Sequence, residues 1–293
     1  MSTERPRDII DLHSHVIAPD AARYPLDPLG GKQSEWSRDR PVDADGMLAA
    51  MREAGVSQTA LVQASTCYGH DNRYVADSVA AHPDRFIGVF SVDMRASDAC
   101  LNLRRWLNAG LAGARVFIAG HTAADKSIRL DDPAGFAAWS LLEAHRIPVC
   151  VQIRADGLDQ VRSLLERFPG VPVLLDHFAR PHLEEGAPYA SAAGLFALAR
   201  YPNLFCKFTT HNVRESREGK STQAAFARAV VNAFGADRLA WGSNFPASKG
   251  SLAEHVAEAL ECTASLSASE RDWIFAGTAR RLYPQLTGKA ARA

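Results

Sequence analysis

The sequence predicts one closed (β/α)8 TIM barrel, and three observations carry that prediction. Apolar strand-like runs alternate eight times with helix-like stretches along 293 residues, and a closed barrel of this kind takes about 250. The strand-like runs are apolar throughout, as parallel strands are when both faces are buried. Polar residues then recur at the C-terminal ends of those runs, where such a barrel carries its chemistry. One domain over 1–293 follows, with its core at 7–286, a long loop after the first strand and an extra C-terminal helix.

The first strand ends in Asp11-Leu12-His13-Ser14-His15. Side chains two apart on a strand share a face. His13 and His15 therefore point into one space, where imidazoles can bind a metal or hold a substrate oxygen. The segment 16–41 is rich in Pro, Gly and charge and carries Tyr24, Trp36 and Arg40. A connection this long is usually a lid or binding loop. Its aromatics favour that over a disordered insert, and Tyr24 is expected to touch substrate.

From Asp43 the pattern turns regular. Met47, Leu48, Met51 and Ala54 recur at helical spacing, Asp43 or Asp45 caps, and Gly55 stops the helix. A strand is predicted over 56–64, then a helix on Tyr74, Val75, Ser78 and Val79 that ends before His82-Pro83. Strand 86–92, a helix over 99–108 and strand 111–118 follow. Asp132-Pro133 opens the next helix with a cap and a first-turn proline; strand 147–153 comes after it. Leu158, Val161, Leu164, Leu165 and Phe168 form one helical stripe closed by Pro169-Gly170, before strand 171–175. A helix on Leu195, Phe196, Leu198 and Ala199 precedes strand 203–208. A helix on Phe226, Val230, Ala233 and Phe234 precedes strand 238–242. One more helix follows Ser251. Ser267-x-x-Glu270 then starts a terminal helix with a capping box.

Composition narrows the function classes. Thirty-three basic residues balance 33 acidic ones, so the basic excess of a nucleic-acid binder is missing. No apolar run approaches the roughly 20 residues that span a bilayer, and residues 1–6 lack the apolar core of a secretory signal. Cys67, Cys100, Cys150, Cys206 and Cys262 are odd in number and form no Cys-x-x-Cys pair, which reads as reduced thiols. The expectation is a cytoplasmic enzyme with a small-molecule partner, neither nucleic acid nor membrane; a homo-oligomer stays open.

The strand ends supply His13 and His15, Ser65 and Thr66, Asp93, Arg115, Gln152 and Arg154, Asp176 and His177, Lys207, Thr209 and His211, and Ser243 and Asn244. Buried ionisable groups are costly unless paired, so polar groups at every end point to one wet pocket. His177 reads as a ligand or electrophile rather than a satisfied core histidine. Arg115 and Arg154 are placed to grip an anionic substrate through bidentate bonds, or else to pair with Asp93. Lys207 reads as an ion-pair partner more readily than as a catalytic amine. His70, His82, His145 and His255 read as structural; His121 and His211 are loop candidates for substrate contact.

Asp11 to His15, Asp176-His177-Phe178-Ala179-Arg180-Pro181, Trp241-Gly242-Ser243-Asn244-Phe245-Pro246 and the closing stretch from Gly277 to Tyr283 resemble the amidohydrolase-2 group of the amidohydrolase superfamily. Gln63-Ala64-Ser65 and Asp71-Asn72-Arg73 are similar to the branch of 2-pyrone-4,6-dicarboxylate lactonase and related lactone hydrolases. The resemblance covers nearly the whole chain. It implies a hydrolase of a lactone or related carboxylic ester, on a small anionic or sugar-like substrate. His13, His15 and His177 would polarise the carbonyl directly or through a metal. Ser65, Thr66, Arg115, Arg154, His211 and Tyr24 would contact substrate.

The family pattern carries an aspartate on the last strand, usually the base that activates water, and here the residue is Asn244. An amide has no basic carboxylate; it can position the water, or it marks a silenced pocket or an introduced substitution. Arg115 and Gln152 stand where full superfamily sites have a lysine and a histidine, so a two-metal site is not expected. His13, His15 and His177 with Asn244 suit one divalent ion, zinc or manganese, while the lactonase branch can work without metal; both stay open. The alternative activity is a metal-dependent decarboxylase or hydratase of an unsaturated or aromatic acid.

Overall fold

The structure, a computed structural model, describes residues 5–118 and 128–286; His121 lies outside the described residues. Eight strands, β1 (Ile10–Ser14), β2 (Gln58–Val62), β3 (Phe86–Ser91), β4 (Gly113–Phe117), β5 (Val149–Gln152), β6 (Val173–Leu175), β7 (Leu204–Thr209) and β8 (Leu239–Gly242), lie in sequence order in one sheet. Every neighbouring pair is parallel. The sheet closes just beyond β8, where Asn244 N donates to His13 O at 2.7 Å and His15 N donates to Phe245 O at 2.9 Å.

The helices that flank the barrel are α1 (Glu35–Asp39), α2 (Ala44–Ala54), α3 (Ser65–Tyr68), α4 (Arg73–Ala81), α5 (Ala99–Asn108), α6 (Phe136–Ala144), α7 (Leu158–Arg167), α8 (Ala193–Ala197), α9 (Thr210–Glu215), α10 (Gln223–Phe234), α11 (Leu252–Cys262), α12 (Ala268–Asp272) and α13 (Thr278–Leu282). The predicted caps form: Asp43 accepts from Gly46 N, and Ser251 and Ser267 complete capping boxes with Glu254 and Glu270. The sequence did not announce α1, α3 and α9. They have five, four and six residues, too few for a 3.6-residue period to show. α3 and α9 directly follow strands, and α1 lies in the long loop.

Two apolar layers hold the barrel. The outer one packs helices on the sheet through residues such as Leu103, Trp139, Leu164, Phe208 and Trp241. The inner one fills the N-terminal half of the barrel with Ile10, Val62, Val89, Cys150, Leu174, Phe205 and Ala240. Ala279, Leu282, Tyr283 and Leu286 seal it from below. A Cβ on Gly113 would stand 2.8 Å from Tyr283 Oη, so the bare glycine makes room for the seal. Strand alternation then explains the polar upper half. Cys150 and Leu174 face the inner core, so Gln152 and Asp176, two residues on, also face inward. Phe205 likewise sets Lys207 and Thr209.

β1 breaks that parity. Between the paired positions Asp11↔Thr59 and Ser14↔Leu61, β1 advances three residues while β2 advances two. This is a β-bulge, which re-aims side chains at barrel rims. Ile10 and Leu12 therefore join the inner core, while His13 and His15 beyond the bulge also turn inward. Asp11 anchors the bulge by accepting from His13 N at 3.0 Å, Ser243 N at 2.8 Å and the Ser243 hydroxyl. Among the described residues the five cysteines are free, and no helix is long and apolar enough to cross a membrane.

Candidate active site

At the C-terminal end of the barrel a cavity of about 230 Å³ opens among His15, Ser65, Thr66, Arg115, Gln152, His177, His211 and Asn244. Trp36, Ala64, Phe117, Arg180 and Ala247 complete its wall. The long loop forms one side. Asp27 N, Leu29 N and Ser34 N donate to the carbonyls of Cys67, Ser65 and Thr66, and Arg40 Nη2 donates to Ala247 O. So pinned, the loop stacks the Trp36 ring on His15, with centroids 5.3 Å apart.

Below the cavity lies a buried charge cluster. Asp176 Oδ1 is 3.0 Å from Lys207 Nζ, and its Oδ2 is 3.1 Å from Arg115 Nε. Burial opposes ionisation of Asp176, yet Lys207, His13 and Arg115 hold its carboxyl well below the usual range. Burial likewise opposes the Lys207 charge, and Asp176 reverses that and raises it. Lys207 is thus the ion-pair partner its position suggested. Arg115 pairs with Asp176 rather than Asp93, because β4 and β6 both face inward. Its Nη1 donates to Gln63 O at 3.3 Å.

The three histidines meet. His13 lies 5.0 Å from His15 and 4.9 Å from His177 between ring centroids. All are held neutral. Burial first, then Arg115, pushes His15 down to about 4. Burial, then Lys207, lowers His13 well below its ordinary value, and burial, then the neighbouring His13 and His211, does the same to His177. Partner chemistry fixes where one of the protons sits. His15 Nδ1 is 2.7 Å from Val62 O, a carbonyl that can only accept, so Nδ1 carries the hydrogen and Nε2 the lone pair. A neutral ring of this tautomer cannot donate to a carbonyl oxygen through Nε2, which corrects the expectation that His15 polarises it directly. His177 Nδ1 is 2.8 Å from Thr209 Oγ1, which also reaches Asn212 Oδ1 at 3.1 Å.

Asn244 sits in the left-handed region at φ 56°, a conformation asparagine tolerates. Its amide nitrogen is 3.2 Å from His211 Nε2 and 3.0 Å from Ser248 Oγ. With both N–H groups spent, Oδ1 is the atom left for a ligand or a water. His211 is pushed down to about 4, by burial and then by Arg180 and Arg214. Gln152 lines the cavity, with its Oε1 buried and without a hydrogen-bond partner among the described residues.

His177 owes its place to an unusual turn. His177, Phe178, Ala179 and Arg180 all have φ between 52° and 58°, four consecutive non-glycine residues in the left-handed region, at about 1–2 kcal/mol each. Phe178 is buried against Phe208, Phe226 and Phe234. Asn212 Nδ2 donates to His177 O at 2.9 Å, and Arg180 pairs with Glu215 at 2.7 Å. These contacts offset the strain and bring Arg180 to the cavity.

Two expected contacts lie elsewhere. Tyr24 is 6% exposed, packed with Ile17, Ala64, Cys67 and Tyr68, and its hydroxyl donates to Asp77 at 2.6 Å. The ring turned toward the apolar underside of the loop, and Trp36 took the cavity position. Arg154 is exposed and lines an outer groove with Arg180 and Glu215; one residue beyond Gln152 and Ile153, it follows the chain out over the rim. Phe117 and Arg180 are wall residues that the sequence does not assign to substrate contact, and Trp36 stands out in it only as an aromatic of the lid.

A three-histidine metal centre is not assembled. His13 Nε2 is buried without a partner among the described residues, as a ligand nitrogen would be. But among those residues no three His, Cys, Asp or Glu side chains stand where they could hold one ion. The Lys207 ammonium also lies 3.2 Å from His13 Nδ1, adding positive charge beside the ring that would bind the ion. The donor set does not fit the ion.

The same architecture occurs in known proteins. The chain is 27% identical over 296 aligned residues to L-fucono-1,5-lactonase of Burkholderia ambifaria, covering 94% of each chain. A structure described as a 2-pyrone-4,6-dicarboxylic acid hydrolase from Pseudomonas putida superposes with a TM-score of 0.77 at 23% identity, covering 95% of this chain and 98% of that one. An amidohydrolase from Burkholderia multivorans solved with bound zinc superposes with a TM-score of 0.75 at 23% identity, covering 94% and 99%. The sequence model of the amidohydrolase family matches residues 10–285, and with the barrel and its histidine-lined mouth in place, this chain belongs to that family.

Proposed function

We propose that this chain hydrolyses a small, hydroxyl-rich lactone of the sugar-acid type. The observation that carries this is the pair of acceptors presented by residues of the cavity wall, His15 Nε2 and Asn244 Oδ1. Acceptors call for O–H donors, which substrate hydroxyls and an attacking water provide. The charges beneath are largely spent on one another, since Arg115 and Lys207 share Asp176 and Arg180 is paired with Glu215. That leaves little for a dicarboxylate. The name of the Burkholderia ambifaria relative, a sugar-acid lactonase, points the same way.

In this reading Asn244 Oδ1 accepts one hydrogen of the water, and His177 Nε2 takes the other proton as the oxygen attacks the lactone carbonyl. Arg115, the cation at the cavity wall, stabilises the developing oxyanion. Collapse of the intermediate breaks the ring C–O bond, and the imidazolium of His177 returns its proton to the leaving alkoxide. No step passes through a metal.

The test is acid release from five- and six-membered aldonolactones, run beside 2-pyrone-4,6-dicarboxylate and a hydroxybenzoate. Turnover of an aldonolactone is expected, and His177→Ala should lower kcat about 100-fold or more. CO2 release from the hydroxybenzoate would support the decarboxylase instead. No turnover in the native chain, with lactone hydrolysis appearing in Asn244→Asp, would identify a silenced pocket.

A further inference from the structure

We propose that Thr209 and Asn212 are positioning residues that make His177 a base. The inference rests on the role given to His177 above. Its direction follows from what each atom can do. Asn212 Nδ2 is 2.9 Å from the His177 carbonyl, an oxygen that only accepts, so the amide orientation is fixed and Asn212 Oδ1 faces Thr209. There Oδ1 accepts from Thr209 N and from Thr209 Oγ1, each at 3.1 Å. With the threonine hydrogen assigned to Asn212 Oδ1, Oγ1 meets His177 Nδ1 at 2.8 Å as an acceptor. The imidazole hydrogen is thereby held on Nδ1 and the lone pair is presented at Nε2.

Asn212 acts twice on the same residue. Through its amide nitrogen it ties down the carbonyl that begins the left-handed turn at His177. Through Thr209 it sets the tautomer of the ring. Thr209 and Asn212 are wholly buried, and neither lines the cavity, so they act through His177 and not on substrate. With an asparagine at position 244, this relay takes over what a carboxylate there would supply: a cavity-facing lone pair that can take a proton from water.

The test is the 15N imidazole spectrum of His177 in histidine-labelled protein, read together with kinetics. In the native chain the hydrogen is expected on Nδ1. Thr209→Val removes the acceptor with little change of volume and should populate the Nε2–H form, lowering kcat at least about tenfold with KM nearly unchanged. Thr209→Ser keeps the hydroxyl and should restore both. An Nε2–H ring in the native chain overturns the proposal. So does Thr209→Val with the tautomer unmoved, whatever its stability. Absence of lactone turnover in the native chain would count against the proposed function alone, because the spectrum still decides the relay.

Discussion

The carboxylate of Asp11 accepts both the backbone N–H and the hydroxyl of Ser243 across the seam where β8 meets β1. It is fully buried, and burial raises its pKa despite those bonds. It also accepts from His13 N, so one side chain closes the barrel and holds the bulge that turns His13 and His15 inward.

Asp11→Ala should cost about 2–3 kcal/mol, because buried donors are left unsatisfied, and should lower turnover by freeing the bulge. Asp11→Asn keeps an oxygen for the N–H groups and an amide that the Ser243 hydroxyl can accept from, so it should cost less. Urea unfolding curves for the two variants measure the difference; equal losses would count against the bulge account.

Tyr24 and Arg154 make contacts outside the cavity. Tyr24→Phe should leave KM unchanged and cost about 1 kcal/mol for the lost bond to Asp77. Arg154→Ala should leave KM and kcat nearly unchanged. Steady-state kinetics on an active lactone check both, and a severalfold rise in KM for either would place it against substrate.

The charge of Lys207 beside His13 predicts indifference to chelation. Protein purified without chelators should carry zinc or manganese well below stoichiometry by elemental analysis, and turnover should survive EDTA. Stoichiometric metal with chelator-sensitive turnover would overturn this and make the three histidines ligands.

Acid should weaken the fold. His15 and His211 titrate at about 4 in the folded chain against about 6.5 unfolded, so between those values the unfolded state binds more protons. Stability should therefore rise with pH through that window and be lost as pH falls, by up to about 1.4 kcal/mol per pH unit for each imidazole. Urea midpoints from pH 4 to 7 report it; a flat profile would mean the rings are not held neutral.

The sequence by itself determined the barrel. Eight apolar runs, periodic helices and caps such as Asp43 and Ser251 are local signals, and the polar ends of the runs put Gln152, Asp176 and Lys207 at one end of the barrel. It also determined that His15, His177 and Asn244 share a mouth, since strand ends converge in this fold. Tertiary structure decided the rest. The turn at His177 to Arg180 contains no glycine or asparagine, and only the packing of Phe178 and the bonds of Asn212 make it favourable. Tyr24 and Trp36 lie in one loop with similar chemistry, and which ring meets the cavity depended on the loop's bonds to residues 65–67. In the proposed relay the proton on His177 depends on Asn212, 35 residues away, because a tautomer is set by whichever partner the fold brings to Nδ1.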